Sequence, residues 1–497
     1  MGTIRKQTII SSILVYFGFF LGAINTYFYT MNGSFSPEEY ALTRIFFDFA
    51  QNVSAFGALG IIPVIHKFYP YYKDNLETHK IDLMTWGMVA ALVGFLLVIT
   101  LGWFFRPVFV QQFSEKSKLI VDYYYWMFPF ALGSLLFNVM EGFAWALQKT
   151  IISNFLKETG LRIVTLLFIL LYYFKLISFD TFVQLFTFLF LIIFVVLAIV
   201  LFRSGHLHFP LKLSRVTRKF WKKMVGMQLL IYSGTLIASI AATIDSFIIA
   251  KFQGLAVVGV FGLAQYAANL VQVPQRSIQA VSTGVLSRAW KDKNYPEIKR
   301  IYQRSCINLL LMALFIFGNL WLNVQQGMEV MNIQKAYQDG LGVIFILGMV
   351  RIIDAGTGLN AVVINTSTYW RFDFLSGVVL LAFRLPLTYF LIKNYGIIGS
   401  AFAELVAYSI YNFIRFEFLR RKFNMQPFDQ KTVLSLLVAG GAYACCYFVL
   451  GEVSGWTGII LRTAVFSGIM IASVFALKLT PDAMQLYDNF KQKYLRK

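Results

Sequence analysis

Residues 263–280 read LAQYAANLVQVPQRSIQA. The stretch lies within a run otherwise apolar enough to cross a bilayer, yet Gln265, Asn269, Gln272, Arg276 and Gln279 recur along it at steps of four, three, four and three. On a continuous α-helix that spacing puts all five on one face, which Thr283 continues. Pro274 interrupts the backbone ladder beside them and frees carbonyls toward the same side. Hydrogen bonding between helices uses such residues. Four amides and a guanidinium exceed what packing needs, however, and predict a polar interior facing this helix.

The rest of the chain sets the context. Of 497 residues, 58% are hydrophobic and 14% charged, too little polar surface for a soluble protein of this length. The apolar runs are continuous rather than alternating, which argues for helical spans and against a barrel. Fourteen spans are expected, at 8–30, 41–66, 82–104, 119–146, 158–174, 180–202, 224–250, 256–287, 305–323, 339–364, 373–392, 396–418, 432–450 and 457–477. The first follows Arg5 and Lys6 and shows no small-residue cleavage site, so it reads as an uncleaved span.

With the N-terminus in the cytoplasm, cytoplasmic segments hold more than four times as many Lys and Arg as external ones. This positive-inside bias predicts cytoplasmic N- and C-termini and an even number of spans. It also accounts for most of the net charge of +20, so nucleic acid is not an expected partner. The longest cytoplasmic connection, RSGHLHFPLKLSRVTRKFWKK at 203–223, predicts contact with anionic lipid headgroups. That loop divides the expected organisation into a first lobe (1–202, six helices), a basic linker (203–223), a second lobe (224–418, six helices), and a final helix pair with a basic tail (419–497). EEYALTRIF at 38–46 and AVVGVFGLAQY at 256–266 open long helices at similar places in the two lobes, a faint sign of duplication.

An ionised side chain at mid-bilayer costs roughly 2.5 to 3.5 kcal/mol. Arg44, Arg162, Arg276, Arg351, Arg384 and Arg462 all fall within spans. Arg162 is one turn from Glu158, and Arg462 lies near a span end from which it can snorkel. Arg276, Arg384, Arg351 and Arg44 are the candidates for holding an anion. Arg44 has Asp48 four residues on, followed by Gln51 and Asn52. Arg351 shares a face with Asp354, Thr357 and Asn360 and can pair with Asp354, and Glu404 is within reach of Arg384 on the adjacent helix. Asp48, Asp354, Glu404 and Glu141 are candidate carriers of a coupling proton or sodium ion. Asp245, near a span end, reads as a structural cap or an interfacial residue. Tyr123, Tyr124, Tyr125 and Trp126 read as an interfacial belt, with sugar stacking as an alternative.

Catalytic and metal motifs are missing. There is no GxxxxGK[ST], HExxH or GxSxG run, and Cys306, Cys445 and Cys446 lie in apolar segments without metal spacing. His206 and His208 sit in the basic loop. No cofactor or metal is expected, and a transporter is favoured over an enzyme.

Three stretches resemble a known family: FSPEEYALTRIF (35–46) with GALGIIPVIHKFYPYY (57–72), IDSFIIAKFQGLAVVGVFGLAQYAANLV (244–271), and NYGIIGSAFAELVAYSIYNFIRF (394–416). Together they are similar to the polysaccharide flippases of the multidrug/oligosaccharidyl-lipid/polysaccharide (MOP) exporter superfamily. The resemblance implies an all-α polytopic membrane protein with two pseudo-symmetric six-helix lobes around a central cavity and two C-terminal helices. It implies flipping of an undecaprenyl-diphosphate-linked oligosaccharide, an O-antigen or capsule unit, across a bacterial inner membrane. Arg276, Arg351, Arg384 and Arg44 would then meet the diphosphate, and Gln265, Asn269, Gln272 and Gln279 the sugars. A monomer is expected, with other glycan-assembly membrane proteins as candidate partners. The alternatives are a cation-coupled small-molecule exporter of the same superfamily and a membrane-embedded polymerase or glycosyltransferase.

Overall fold

The computed structural model describes residues 2–205 and 207–485. His206 and the basic tail from 486 onward lie outside them. Among the described residues every regular element is helical. Nine helices among the described residues are long and apolar enough to cross a membrane, or ten when one bent pair is counted as a single span. The protein is a multi-pass membrane protein.

The chain divides into two compact units, Met1–Gly259 and Val260–Lys497. The first contains α1 (Gly2–Thr30), α2 (Pro37–Gly57), α3 (Ile61–Asn75), α4 (Leu83–Phe113), α5 (Met127–Ala146), α6 (Leu161–Tyr173), α7 (Phe179–Thr187), α8 (Leu189–Arg203) and α9 (Arg215–Phe252). The sequence placed α9, the seventh expected span, in the second lobe, and took the basic loop as the divide. The polar bonds explain why α9 packs in the first unit. Asn52 donates to the Thr243 hydroxyl at 2.8 Å and accepts from Ser239 at 2.9 Å. At the start of α9, the buried Asp82 carboxylate accepts from the Ser214 backbone N–H and the Thr217 hydroxyl, each at 2.8 Å. The second half of the basic segment is therefore helix, tied at its N-terminus to the residue preceding α4.

Local sequence sets the ends of α2. Ser36, Pro37 and Glu39 form a capping box: the Ser36 hydroxyl accepts from the Glu39 N–H at 3.2 Å, and Glu39 Oε2 accepts from the Ser36 N–H at 2.7 Å. At the other end Leu59 (φ 48°) and Gly60 (φ 73°) are both left-handed, and α2 and α3 meet at 51°. A Cβ on Gly60 would stand 2.9 Å from the Gln228 carbonyl oxygen, so the break needs glycine for space as well as conformation. Much of the aromatic content packs inside this unit: Phe130 stacks on Phe186 at 5.2 Å, and Phe35 meets Phe182 at 4.9 Å. Within a bilayer such packing holds helices together where the hydrophobic effect does not.

The second unit contains most of α10 (Leu255–Asn269), then α11 (Val273–Lys291), α12 (Tyr295–Val330), α13 (Leu341–Gly356), α14 (Asn360–Asn365), α15 (Trp370–Phe423), α16 (Gln430–Leu450) and α17 (Gly455–Ala476). Two expected spans, 373–392 and 396–418, form the single run α15, interrupted at Gly396 (φ 64°, ψ −146°). That conformation is essentially reserved for glycine. A Cβ on Gly399 would touch the Leu391 carbonyl, Arg384 meets Glu404, and Ser376 meets Arg415. These pairs sit at similar distances either side of the bend, so the two arms of α15 run antiparallel.

The last two helices are part of this unit. Arg462 does not snorkel: it is 4% exposed and closes the end of α16. Its guanidinium donates to the Leu450 carbonyl at 3.3 Å, the Val453 carbonyl at 3.2 Å and Asn323 Oδ1 at 3.1 Å, and also to Gln326. Carbonyls left over at a helix end are natural partners for a cation.

Candidate functional site: two buried polar clusters

The larger cluster lies in the second unit. The bend at Gly396 turns Arg384 on the first arm of α15 toward Glu404 on the second, and α13 adds Arg351. One Glu404 oxygen accepts from Arg351 at 2.9 Å and the other from Arg384 at 3.2 Å. All three side chains are less than a tenth exposed. Tyr408, one turn beyond Glu404, has its ring 5.9 Å from the Arg351 guanidinium. Two guanidiniums thus share one carboxylate. The Arg384–Glu404 pair follows the sequence expectation. Arg351 departs from it: its ion-pair partner is Glu404 and not Asp354, three residues along its own helix.

Asp354 is held by amides. Gln272 and Gln275 donate to its Oδ2 at 3.3 and 3.0 Å, and Asn412 donates to Oδ1 at 3.2 Å. The Asn412 carbonyl oxygen in turn accepts from Thr357 and Asn360, both at 2.9 Å. The network therefore joins α13, α14, α15 and the turn before α11. With both carboxylates ionised, Arg351, Arg384, Glu404 and Asp354 carry no net charge.

The polar stripe does not lie on one continuous helix. The chain leaves the α-form at Asn269, makes a 3₁₀ turn over Leu270–Gln272, and re-enters helix with Pro274 in its first turn. Proline has no N–H to give and fits a helix start. The turn rotates the second half of the stripe. Gln272 reaches Asp354, while Arg276, one turn into α11, is exposed. Gln265, Asn269 and Gln279 are half-buried. Gln275, off the stripe by spacing, is buried and bonded to Asp354.

Sequence reasoning also missed Arg415. It stands five residues before the basic run Arg420–Lys422 and reads as part of it, although it falls inside the expected span 396–418. It is buried, bonded to Asp373 and to the Ser376 hydroxyl (3.1 Å), with its guanidinium 3.9 Å from the Tyr411 ring. Its position before the end of the apolar run was the signal that could have found it.

The smaller cluster is in the first unit. Asp48 on α2 is near Arg44, with the Ser246 hydroxyl bonded to it and Asp245 close by. Asp245, inside α9, is fully buried. Glu141 on α5 pairs with Lys157 at 2.6 Å, and Arg162 pairs with Glu158 at 2.8 Å as its spacing predicted. Tyr124 is buried and donates to the Gly102 carbonyl, whereas Tyr125 is exposed beside Arg106. Among the described residues no group of His, Cys, Asp and Glu could hold a metal, and the three cysteines are free thiols.

Comparison with solved structures fixes the fold class. The structure matches that of the lipid II flippase MurJ in an inward closed conformation with a TM-score of 0.72, covering 95% of this chain and 99% of that one at 14% identity. It matches an inward-facing multidrug resistance MATE family transporter of the MOP superfamily with a TM-score of 0.62, covering 84% and 98% at 14% identity. The MATE multidrug transporter DinF-BH gives a TM-score of 0.57 over 85% and 95% at 16% identity. No family model and no curated protein matches the sequence. The chain thus shares the fold of these flippase and transporter structures.

Proposed function

We propose that this protein flips a lipid-linked oligosaccharide across a bacterial inner membrane, using guanidinium groups to receive the diphosphate. The carrying observation is that Arg351 and Arg384 are held by one shared glutamate. Removing a partner from a buried pair is costly, because the charge left behind has no solvent. A carboxylate between two guanidiniums is therefore an internal stand-in for a phosphate, since both present paired anionic oxygens suited to guanidinium forks. Phosphate oxygens could replace Glu404 once it takes up a proton or moves aside. Arg276, exposed at the surface of α11, would make first contact. The two guanidiniums keep Glu404 ionised, so it would take up a proton only as phosphate oxygens take its place; Asp354 and Asp48 are further candidates for H⁺ or Na⁺. The basic segment 203–223 would rest on anionic headgroups of the cytoplasmic leaflet.

The test is export of a lipid-linked glycan in cells carrying Arg276→Ala. Export should be lost while the protein inserts at normal abundance; full export by this variant overturns the proposal.

A cation-coupled small-molecule exporter is the second reading. The carboxylates of Asp48, half-buried, and Asp245, buried, in the first unit favour it. Drug resistance conferred by the wild type and lost in Asp48→Asn, with glycan export absent throughout, would establish it instead.

A further inference from the structure

The first unit contains a cavity of about 480 Å³ that takes no part in the Arg351–Arg384 cluster. Its walls come from α2, α3, α5, α9 and the segment before α6, and include Gln51, His66, Asn138, Glu141, Trp145 and Lys157. Three features give it a definite chemistry.

The first is charge balance. Lys157 Nζ stands 2.6 Å from Glu141 Oε2, and the two charges cancel. Lys157 reaches Glu141 from a π-helical turn, Phe155–Gly160, a distortion often retained at functional sites. The second is an unmet acceptor. Glu141 is buried, and its other oxygen, Oε1, has no hydrogen-bond partner and sits just under the surface of the cavity that the residue lines. A buried acceptor left unpaired is costly, so a donor is wanted there. The third is a fixed flat wall. Trp145 is half exposed, and its indole N–H is anchored on the Ser153 hydroxyl at 3.1 Å. The His66 ring lies parallel to it, 6.0 Å between centroids, with Nε2 held 3.1 Å from the Gly142 carbonyl oxygen.

A net cation gains little beside a carboxylate already neutralised by lysine, and an anion would meet Glu141. A neutral ring bearing hydroxyls meets all three features. A small rotation of the Glu141 carboxylate brings Oε1 to the cavity surface, where one hydroxyl donates to it; others bond the Asn138 and Gln51 amides, and the C–H face stacks on Trp145. The volume is within the range of pockets that enclose small ligands. We propose that this cavity is a saccharide-binding subsite, which rests on the flippase reading and assigns the glycan moiety to residues of the first unit.

The test uses full-length protein in phospholipid nanodiscs, avoiding detergents with sugar headgroups. Saturation-transfer NMR would be recorded with methyl β-glucopyranoside and N-acetylglucosamine as probes, and with tetraphenylphosphonium as the cationic comparator. Saccharide signals should be present in the wild type and in Trp145→Phe, and fall about fivefold in Trp145→Ala and Glu141→Gln, the scale of one lost aromatic or hydrogen-bonding contact. Size-exclusion profiles and thermal unfolding identify any variant that fails to fold, and Trp145→Phe against Trp145→Ala then carries the comparison. Absent saccharide signals in the wild type, equal signals in all variants, or tetraphenylphosphonium binding that depends on Glu141 would each overturn the proposal. Arg276→Ala separates the two readings. Lost export with intact saccharide signals supports both, whereas full export alongside intact signals leaves the subsite standing and removes the flippase mechanism.

Discussion

Glu404 lies twenty residues beyond Arg384, yet its carboxylate is 3.2 Å from the Arg384 guanidinium, across a helical run folded at Gly396. The contact exists only because one residue between them has a backbone conformation open to glycine.

Substituting Glu404→Gln should be strongly destabilising. Two buried guanidiniums would lose the carboxylate they share, and breaking such a pair costs about 3 to 5 kcal/mol. Thermal unfolding of the purified protein should show a large drop in Tm. Adding Arg384→Gln should recover part of it, because one of the two guanidinium charges is then gone.

Gly396→Ala should cost about 1 to 3 kcal/mol, since alanine does not tolerate this φ and ψ. Gly440→Ala, in the interior of α16 with nothing within 4 Å of a Cβ placed there, should be neutral or slightly stabilising. Unfolding midpoints of the two variants should move in opposite directions or by clearly different amounts.

Arg462→Met should lower stability by about 1 to 3 kcal/mol, because it strips donors from the Leu450 and Val453 carbonyls and from Asn323. A snorkelling arginine would tolerate the same change. Protease nicking between α16 and α17 should rise in the variant.

Asp82→Ala should loosen the start of α9. The Ser214 N–H and the Thr217 hydroxyl lose their acceptor, at a cost of about 1 kcal/mol, comparable to losing a helix cap. Hydrogen exchange at residues 214–217 should accelerate, with little change in α16 or α17.

The helical content, the order of the elements and most intramembrane charges were legible from hydropathy and spacing. The Arg384–Glu404 pair could be anticipated because a short connection makes antiparallel neighbours of two successive spans. What stayed hidden came from geometry that spacing does not encode. The stripe from Gln265 to Gln279 assumes continuous helix, and the 3₁₀ turn before Pro274 rotates its second half, exposing Arg276 and burying Gln275. Arg351 offered a plausible partner in Asp354 at helical spacing, but amides from other elements occupy that carboxylate. Arg415 was masked by the basic run after it. The grouping of α9 with the first unit depends on side-chain bonds from Asn52 and Asp82, which no composition boundary marks.

The tip of the α15 hairpin, Lys393–Tyr395, is exposed. Its two arms deliver opposite halves of a buried ion pair, so the tip is a mechanical handle on charge that solvent cannot reach. A binding fragment raised against those three residues would pull on the arms' register, and through it on the strength with which glutamate grips its two cations.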